Sequence, residues 1–225
     1  MTDISKISAP IIKAITLLIK KYSDSSYALP VVAIGGCSAV GKSEFTKILQ
    51  SLLQQHGIRA LILKQDNFMN PLEVFSNYTI HPHLDHKKIH TVLKNIKKGH
   101  KQVISPTFDL SQLTVTYNQL DLTNIDIILF EGTYVLSTDE SYNFLGYSDL
   151  RIFIDASEKD IIKWNWQREN SDTHNIPRSR DRFDQDTSWN MNDYHVNILP
   201  TKVHADFVIE KNHNHDYSLP LFESE

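Results

Sequence analysis

A chain of 225 residues, 40% of them hydrophobic, can bury the core of one α/β domain with room for a small inserted substructure. Its formal net charge of −4 argues against a nucleic-acid-binding domain, which usually carries a basic face, and points toward free metabolites as partners. The single cysteine, Cys37, cannot form an intramolecular disulfide, which predicts a reducing, cytoplasmic setting.

Within residues 1–29, the segment from Ile11 to Ile19 is apolar, but Lys13 interrupts it and Lys20 and Lys21 follow. It is too short to span a bilayer and lacks the small-residue pattern of a cleavage site. The expectation is an amphipathic helix packed on the domain, with no membrane association.

Val31 to Ile34 is a β-branched apolar run that reads as a buried strand, and Phe45, Ile48, Leu49, Leu52 and Leu53 have helical spacing within Glu44 to Gln55. Between them, Gly36, Cys37, Ser38, Ala39, Val40, Gly41, Lys42 and Ser43 match GxxxxGK[ST], the phosphate-cradling P-loop. Gly36 and Gly41 let successive amide N–H groups turn toward phosphate oxygens, and the helix N-terminus adds partial positive charge. Lys42 is placed to neutralise the β and γ phosphates of ATP, and the Ser43 hydroxyl to ligate Mg²⁺. Cys37 reads either as an oxidisable thiol or, preferably, as a small residue that fits the loop.

Gly57 is placed to end the helix, and Ala60 to Leu63 forms a second buried strand that delivers Asp66 to the carboxyl end of a sheet, where ligands gather. Asn67 to His86 has no clear period and reads as an irregular loop over an acceptor site. Lys87 to Lys98 is helical with Ile89, Val92, Leu93 and Ile96 inward. The nearby His81, His83, His86 and His90 are read as surface or substrate-loop residues in preference to zinc ligands, and His213 and His215 as part of a solvated end. Gln102 to Asn124 alternates in short runs and suggests a small inserted β-hairpin, so that acceptor loop, helix and hairpin occupy residues 66–124.

Ile125 to Phe130 is a near-continuous apolar run ending at Glu131, the pattern of a central parallel strand that brings an acid to the phosphate end of the sheet. Leu150 to Ile154 leads through Asp155 into a helix bearing Ile161, Ile162, Trp164 and Trp166, the tryptophans read as core. Of the six arginines in the chain, Arg168, Arg178, Arg180 and Arg182 crowd together with Asp172, Asp181, Asp184 and Asp186 among them. A salt-bridged polar loop would account for this. With a P-loop elsewhere in the chain, an Arg-rich lid over residues 168–186 is preferred, because guanidinium groups stabilise a transferring phosphoryl group once water is excluded. Ala205 to Ile209 reads as a last strand.

The P-loop together with Asp66–Asn67–Phe68, Pro106–Thr107–Phe108–Asp109, Phe130–Glu131–Gly132 and Leu199–Pro200–Thr201–Lys202 resembles the uridine kinase and phosphoribulokinase family, from about Val31 to Ile209. The resemblance implies an α/β P-loop NTPase fold, a mostly parallel sheet flanked by helices with the inserted hairpin and the lid. It implies transfer of the γ-phosphoryl group of ATP to a hydroxyl of a small metabolite. Asp66 would be the general base or a Mg²⁺-linked acid, Glu131 would lie near the metal, and Arg168 would be the helix arginine before the lid, with Arg178 and Arg180 on the nucleotide. Where uridine kinases have hydrogen-bonding residues on the acceptor side, this chain has Met69, Ile80, His83, Phe108 and Leu113. Ala39–Val40 and Asn197–Ile198 look more like bacterial pantothenate kinases of the same superfamily. The expected function is therefore a uridine kinase-like phosphotransferase with a divergent acceptor site. A kinase of a sugar, glycerate or pantothenate-like alcohol, or a nucleotide-binding module without turnover, is the alternative. A GTPase switch is disfavoured because Thr201–Lys202–Val203–His204 lacks the acid of the guanine-reading motif. A homo-oligomer is compatible with the sequence.

Overall fold

The computed structural model describes residues 4–23, 28–70, 84–109, 111–170 and 179–220. In chain order its elements are α1 (Ile4–Ser23), β1 (Val31–Gly36), α2 (Lys42–Gln55), β2 (Ala60–Lys64), α3 (His86–Lys97), β3 (Gln102–Asp109), β4 (Thr114–Asp121), β5 (Ile127–Glu131), β6 (Leu150–Ala156), α4 (Glu158–Glu169), α5 (Arg180–Asp193), β7 (Phe207–Lys211) and β8 (Tyr217–Ser218).

The runs without polar alternation are the ones covered on both faces. Strands β1 and β5 are buried at every position, as expected of parallel strands sandwiched by helices. The sheet order is β2-β5-β1-β6-β7-β8. Its first five strands are parallel and β8 adds antiparallel to β7. In register, Ile34 lies beside Glu131 on one side and Ile152 on the other, so the loop after β1 opens at the carboxyl ends of its neighbours. Phe45, Leu49 and Leu53 of α2 are fully buried against this sheet, and Phe130 meets Phe144 edge-on at 5.9 Å. The inserted hairpin is a separate antiparallel pair, β3 with β4, in register from Gln102–Asp121 to Asp109–Thr114.

Helix α1 buries Ile7, Ile11, Ile12 and Ile15, which fits the amphipathic pattern read from the sequence. Its end is tied down by Asp149, which accepts hydrogen bonds from the Tyr22 hydroxyl at 2.5 Å and the Val31 amide at 2.8 Å and forms an ion pair with Lys97 of α3. No helix among the described residues is long and apolar enough to cross a membrane.

Four features add to or differ from the sequence reading. Gln65–Phe68 is a 3₁₀ turn at the foot of the predicted irregular loop, with Gln65 and Phe68 buried as anchors; residues 71–83, including Ile80, His81 and His83, lie outside the described residues. Asp155 belongs to β6, because pairing with β7 continues to Ala156–Lys211. The polar stretch from Arg180, read as part of a salt-bridged loop or, preferably, of an Arg-rich lid, is a helix, α5; Phe183 anchors it by packing edge-on against Trp166 at 4.8 Å. Strand β8 was not anticipated, since a two-residue strand leaves no periodicity to read.

Candidate active site

The P-loop is shaped by backbone geometry that few side chains tolerate. Gly36 and Gly41 have φ of 139° and 100°, and Ala39 takes φ of 61°. A Cβ on Gly36 would collide with the Ile154 carbonyl, and one on Gly41 would lie 2.5 Å from Lys211 Nζ. The backbone clash at Gly36 and the positive φ at both positions explain why the motif needs glycine there. The loop leads into α2, whose first turn offers amide N–H groups to an anion.

Lys42 is buried, and its Nζ donates to the Cys37 carbonyl at 2.7 Å and approaches Thr133 Oγ1 at 3.5 Å. Burial lowers the pKa of this ammonium, while the charge of Asp66, and after it that of Glu131, opposes the drop. A cation so desolvated gains strongly from an anion placed beside it. Ser43 Oγ donates to Glu131 Oε1 at 2.8 Å, joining the helix start to the end of β5. A hydroxyl and a carboxylate oxygen, side by side at the mouth of the cradle, form a hard-oxygen set suited to Mg²⁺.

Asp66 is exposed on the 3₁₀ turn after β2, and the turn is seated by its neighbour. Gln65 is 1% exposed and accepts from the Tyr134 amide at 3.0 Å, while its Nε2 has no hydrogen-bond partner among the described residues. It packs directly over Gly132, where a Cβ would lie 2.5 Å from Gln65 Oε1. Arg168, near the end of α4, donates to Asn165 Oδ1 at 2.8 Å and to Ser38 Oγ of the P-loop at 3.3 Å. The structure thus brings Lys42, Ser43, Glu131 and Arg168 around one loop, and Asp66 acts electrostatically on the same ammonium. Cys37 and Val40 are buried within the loop. Burial pushes the Cys37 thiol up to about 11, which favours its reading as a fitting residue over an oxidisable one. Arg178 lies outside the described residues, and of Arg180 and Arg182 only the backbone, within α5, is described.

Beside the Asp66 turn, a cleft of about 220 Å³ opens between that turn, the start of α3 and the hairpin. Phe68, Met69 and Val115 give it apolar walls, and Asp85, Lys88 and Tyr117 polar ones. Lys88 Nζ donates to the Tyr117 hydroxyl at 2.7 Å and pairs with Asp85 at 3.2 Å. The Tyr117 hydrogen bond raises the pKa of Lys88, so it stays cationic. His86 packs on Tyr142, and His90 on Phe144 and Tyr147. No group of three or more metal-ligating side chains occurs among the described residues.

Sequence reading missed several contributors. Asn165 orients Arg168, Thr133 flanks Lys42, and Tyr134 donates to Asp193 Oδ2 at 2.5 Å, linking the end of β5 to the end of α5. Lys202 pairs with Asp155 at 2.6 Å, which gives the Leu199–Lys202 segment a role bracing β6. Lys211 and Tyr217 sit behind Gly41; a polar pair ending the apolar run Phe207–Ile209 was the available signal, because parallel strands end on the ligand side.

A parallel sheet carrying a glycine cradle, a buried lysine and a serine–acid pair at its carboxyl edge defines a P-loop nucleoside-triphosphate-binding fold. The profile of the Phosphoribulokinase / Uridine kinase family matches residues 31–218. The chain belongs to that family. A pantothenate kinase of Histophilus somni is 27% identical over 219 residues, covering 84% of this chain and 69% of that protein. One of Rhodococcus opacus is 27% identical over 226 residues, covering 89% and 73%. Among solved structures, the D-glycerate 3-kinase of Cryptococcus neoformans superposes with a TM-score of 0.70 at 12% identity, covering 95% of this chain and 99% of that one. The phosphoribulokinase of Rhodobacter spheroides gives 0.65 at 16% identity, covering 83% and 71%.

Proposed function

We propose that this protein transfers the γ-phosphoryl group of ATP to a hydroxyl of a small, non-nucleoside alcohol. The observation that carries this reading is the convergence of Lys42, the Ser43–Glu131 pair and Arg168 on one glycine loop, with the exposed acid Asp66 acting on the same ammonium. Phosphoryl transfer needs mainly positioning and neutralisation of spread negative charge. Lys42 neutralises the β and γ phosphates once it exchanges the Cys37 carbonyl for them. Arg168, held by Asn165 and touching Ser38, supplies charge at the transferring group. Ser43 and Glu131 would hold Mg²⁺, which when bound screens the phosphate oxygens. Asp66 orients and deprotonates the acceptor hydroxyl.

The acceptor is assigned away from uridine for two reasons. Polar base edges need matched partners, and leaving such groups unpaired is costly. Here Met69 and Phe108 stand where uridine kinases hydrogen-bond, and Phe68, Met69 and Val115 give the adjacent cleft an apolar wall. The pantothenate kinase relatives support an aliphatic alcohol in place of a nucleoside.

The test is ADP release from Mg²⁺ATP with a panel of pantothenate-like alcohols, glycerate, sugars and nucleosides. A signal with one non-nucleoside is expected, lost by about a thousandfold or more in Lys42→Ala. Asp66→Asn should lose transfer comparably yet bind ATP as the native protein does. Turnover with uridine alone would overturn the acceptor assignment. ATP binding with silence across the panel would favour a module without turnover.

A further inference from the structure

A second lysine is built into the back of the phosphate cradle. Lys211, the last residue of β7, has a side chain only 3% exposed, and its Nζ pairs with Glu44 Oε2 at 3.2 Å. The same ammonium lies over the rings of Trp164 and Tyr217, 5.0 and 5.1 Å from their centroids. It is also close enough to Gly41 that a Cβ there would lie 2.5 Å from it. Tyr217 completes the arrangement: its hydroxyl is 3.2 Å from Glu44 Oε2 and 3.4 Å from the Gly41 carbonyl. Trp164 lies one turn before Arg168 on α4, so one face of that helix meets both the loop and its rear support.

The charge arithmetic at this point is unusual. Glu44 lies in the first turn of α2, where a carboxylate suits the empty helix terminus but opposes a polyphosphate bound to the same N–H groups. Its side chain is 60% exposed, so nothing requires a buried ammonium merely to shelter it. Desolvating Lys211 is itself unfavourable, and a single carboxylate with two aromatic faces offsets that only in part. The result is a buried ammonium held against the glycine backbone, where it balances the Glu44 carboxylate.

We infer that Lys211 is a second cation of the phosphate cradle, a positioning residue that neutralises Glu44 and keeps the mouth of α2 attractive to the nucleotide's phosphates. The inference rests on the P-loop binding a nucleotide, as proposed above, and not on the identity of the acceptor. Its signature is a dependence on phosphate number. Removing the charge weakens ligands according to how many phosphate groups they place against the loop, whereas mere loosening of the fold weakens all of them alike.

Calorimetric titration with Mg²⁺ATP, Mg²⁺ADP and AMP separates these cases. Lys211→Met is expected to weaken ATP about tenfold, ADP less and AMP least, as expected for one unit charge a few ångströms from the phosphates. Glu44→Gln, at an exposed position, is expected to tighten ATP a few-fold, and the double variant to return close to the native affinity. Equal losses for all three ligands, unchanged ATP affinity in Lys211→Met, weaker ATP binding in Glu44→Gln, or a double variant as weak as Lys211→Met would each overturn the inference. Native protein that binds no nucleotide would overturn the kinase reading and this inference together.

Discussion

Cys37 shows how the P-loop divides labour within one residue. Its carbonyl accepts from Lys42 at 2.7 Å, while its thiol is buried and pushed up to about 11 by desolvation. The reactive species in alkylation is the thiolate. A raised pKa keeps the thiol protonated at neutral pH, so reaction with iodoacetamide should be slow at pH 7 to 8 and accelerate as pH approaches the raised value. A plateau already at pH 8, followed by mass spectrometry under native conditions, would contradict the placement of this residue. The sequence alone could locate the thiol in the loop but could not decide between a reactive and a fitting role, because the deciding variable is burial.

Among the elements, the junction of β2 and β5 governs where Asp66 stands. Gln65 lies across Gly132, its Oε1 taken by the Tyr134 amide, and no Cβ fits between them. Gly132→Ala should therefore displace the Gln65 turn, destabilise the protein by about 2 kcal/mol and lower its melting temperature by several degrees. Transfer should fall further than stability predicts, since the turn carries Asp66; an unchanged melting curve would refute the crowding argument. How legible these elements were follows from their chemistry. Strands β1 and β5 and helix α2 were readable because apolar runs and helical spacing extend over several residues, and Glu131 is the residue that ends one such run. The Gln65–Phe68 turn, strand β8 and helix α5 were not. The first two are too short to carry a period, and α5 is so polar that Phe183 and Met191 give its inner side no apolar stripe to read. The Lys211–Glu44 contact joins positions 167 residues apart, beyond any local pattern.

At the scale of the whole molecule, Asp149 fastens the face opposite the site. It joins the end of α1 through Tyr22, the start of β1 through the Val31 amide, and α3 through Lys97. Burial and this hydrogen bond raise the Tyr22 pKa, so the phenol remains a donor across the ordinary range. Asp149→Ala removes the acceptor from three elements at once and should destabilise the fold by roughly 3 kcal/mol. Because the network lies at the amino end of β1 and the P-loop at its carboxyl end, ATP affinity at temperatures well below melting should change little. A large loss of affinity without a loss of stability would show that the two ends are coupled.

The bracing of the P-loop by Lys211 and Tyr217 also sets an order of events during synthesis. Glu44 is polymerised 167 residues before Lys211. At a translation rate of about 5–20 residues per second, the loop waits roughly 8–33 s for the strand that closes its rear. Strand β1 must wait as well for β6, its partner on one side. A nascent chain arrested before β7 would carry the entire glycine motif and still lack Lys211 and Tyr217 behind it, so ATP is expected to stabilise such a chain less than the finished protein.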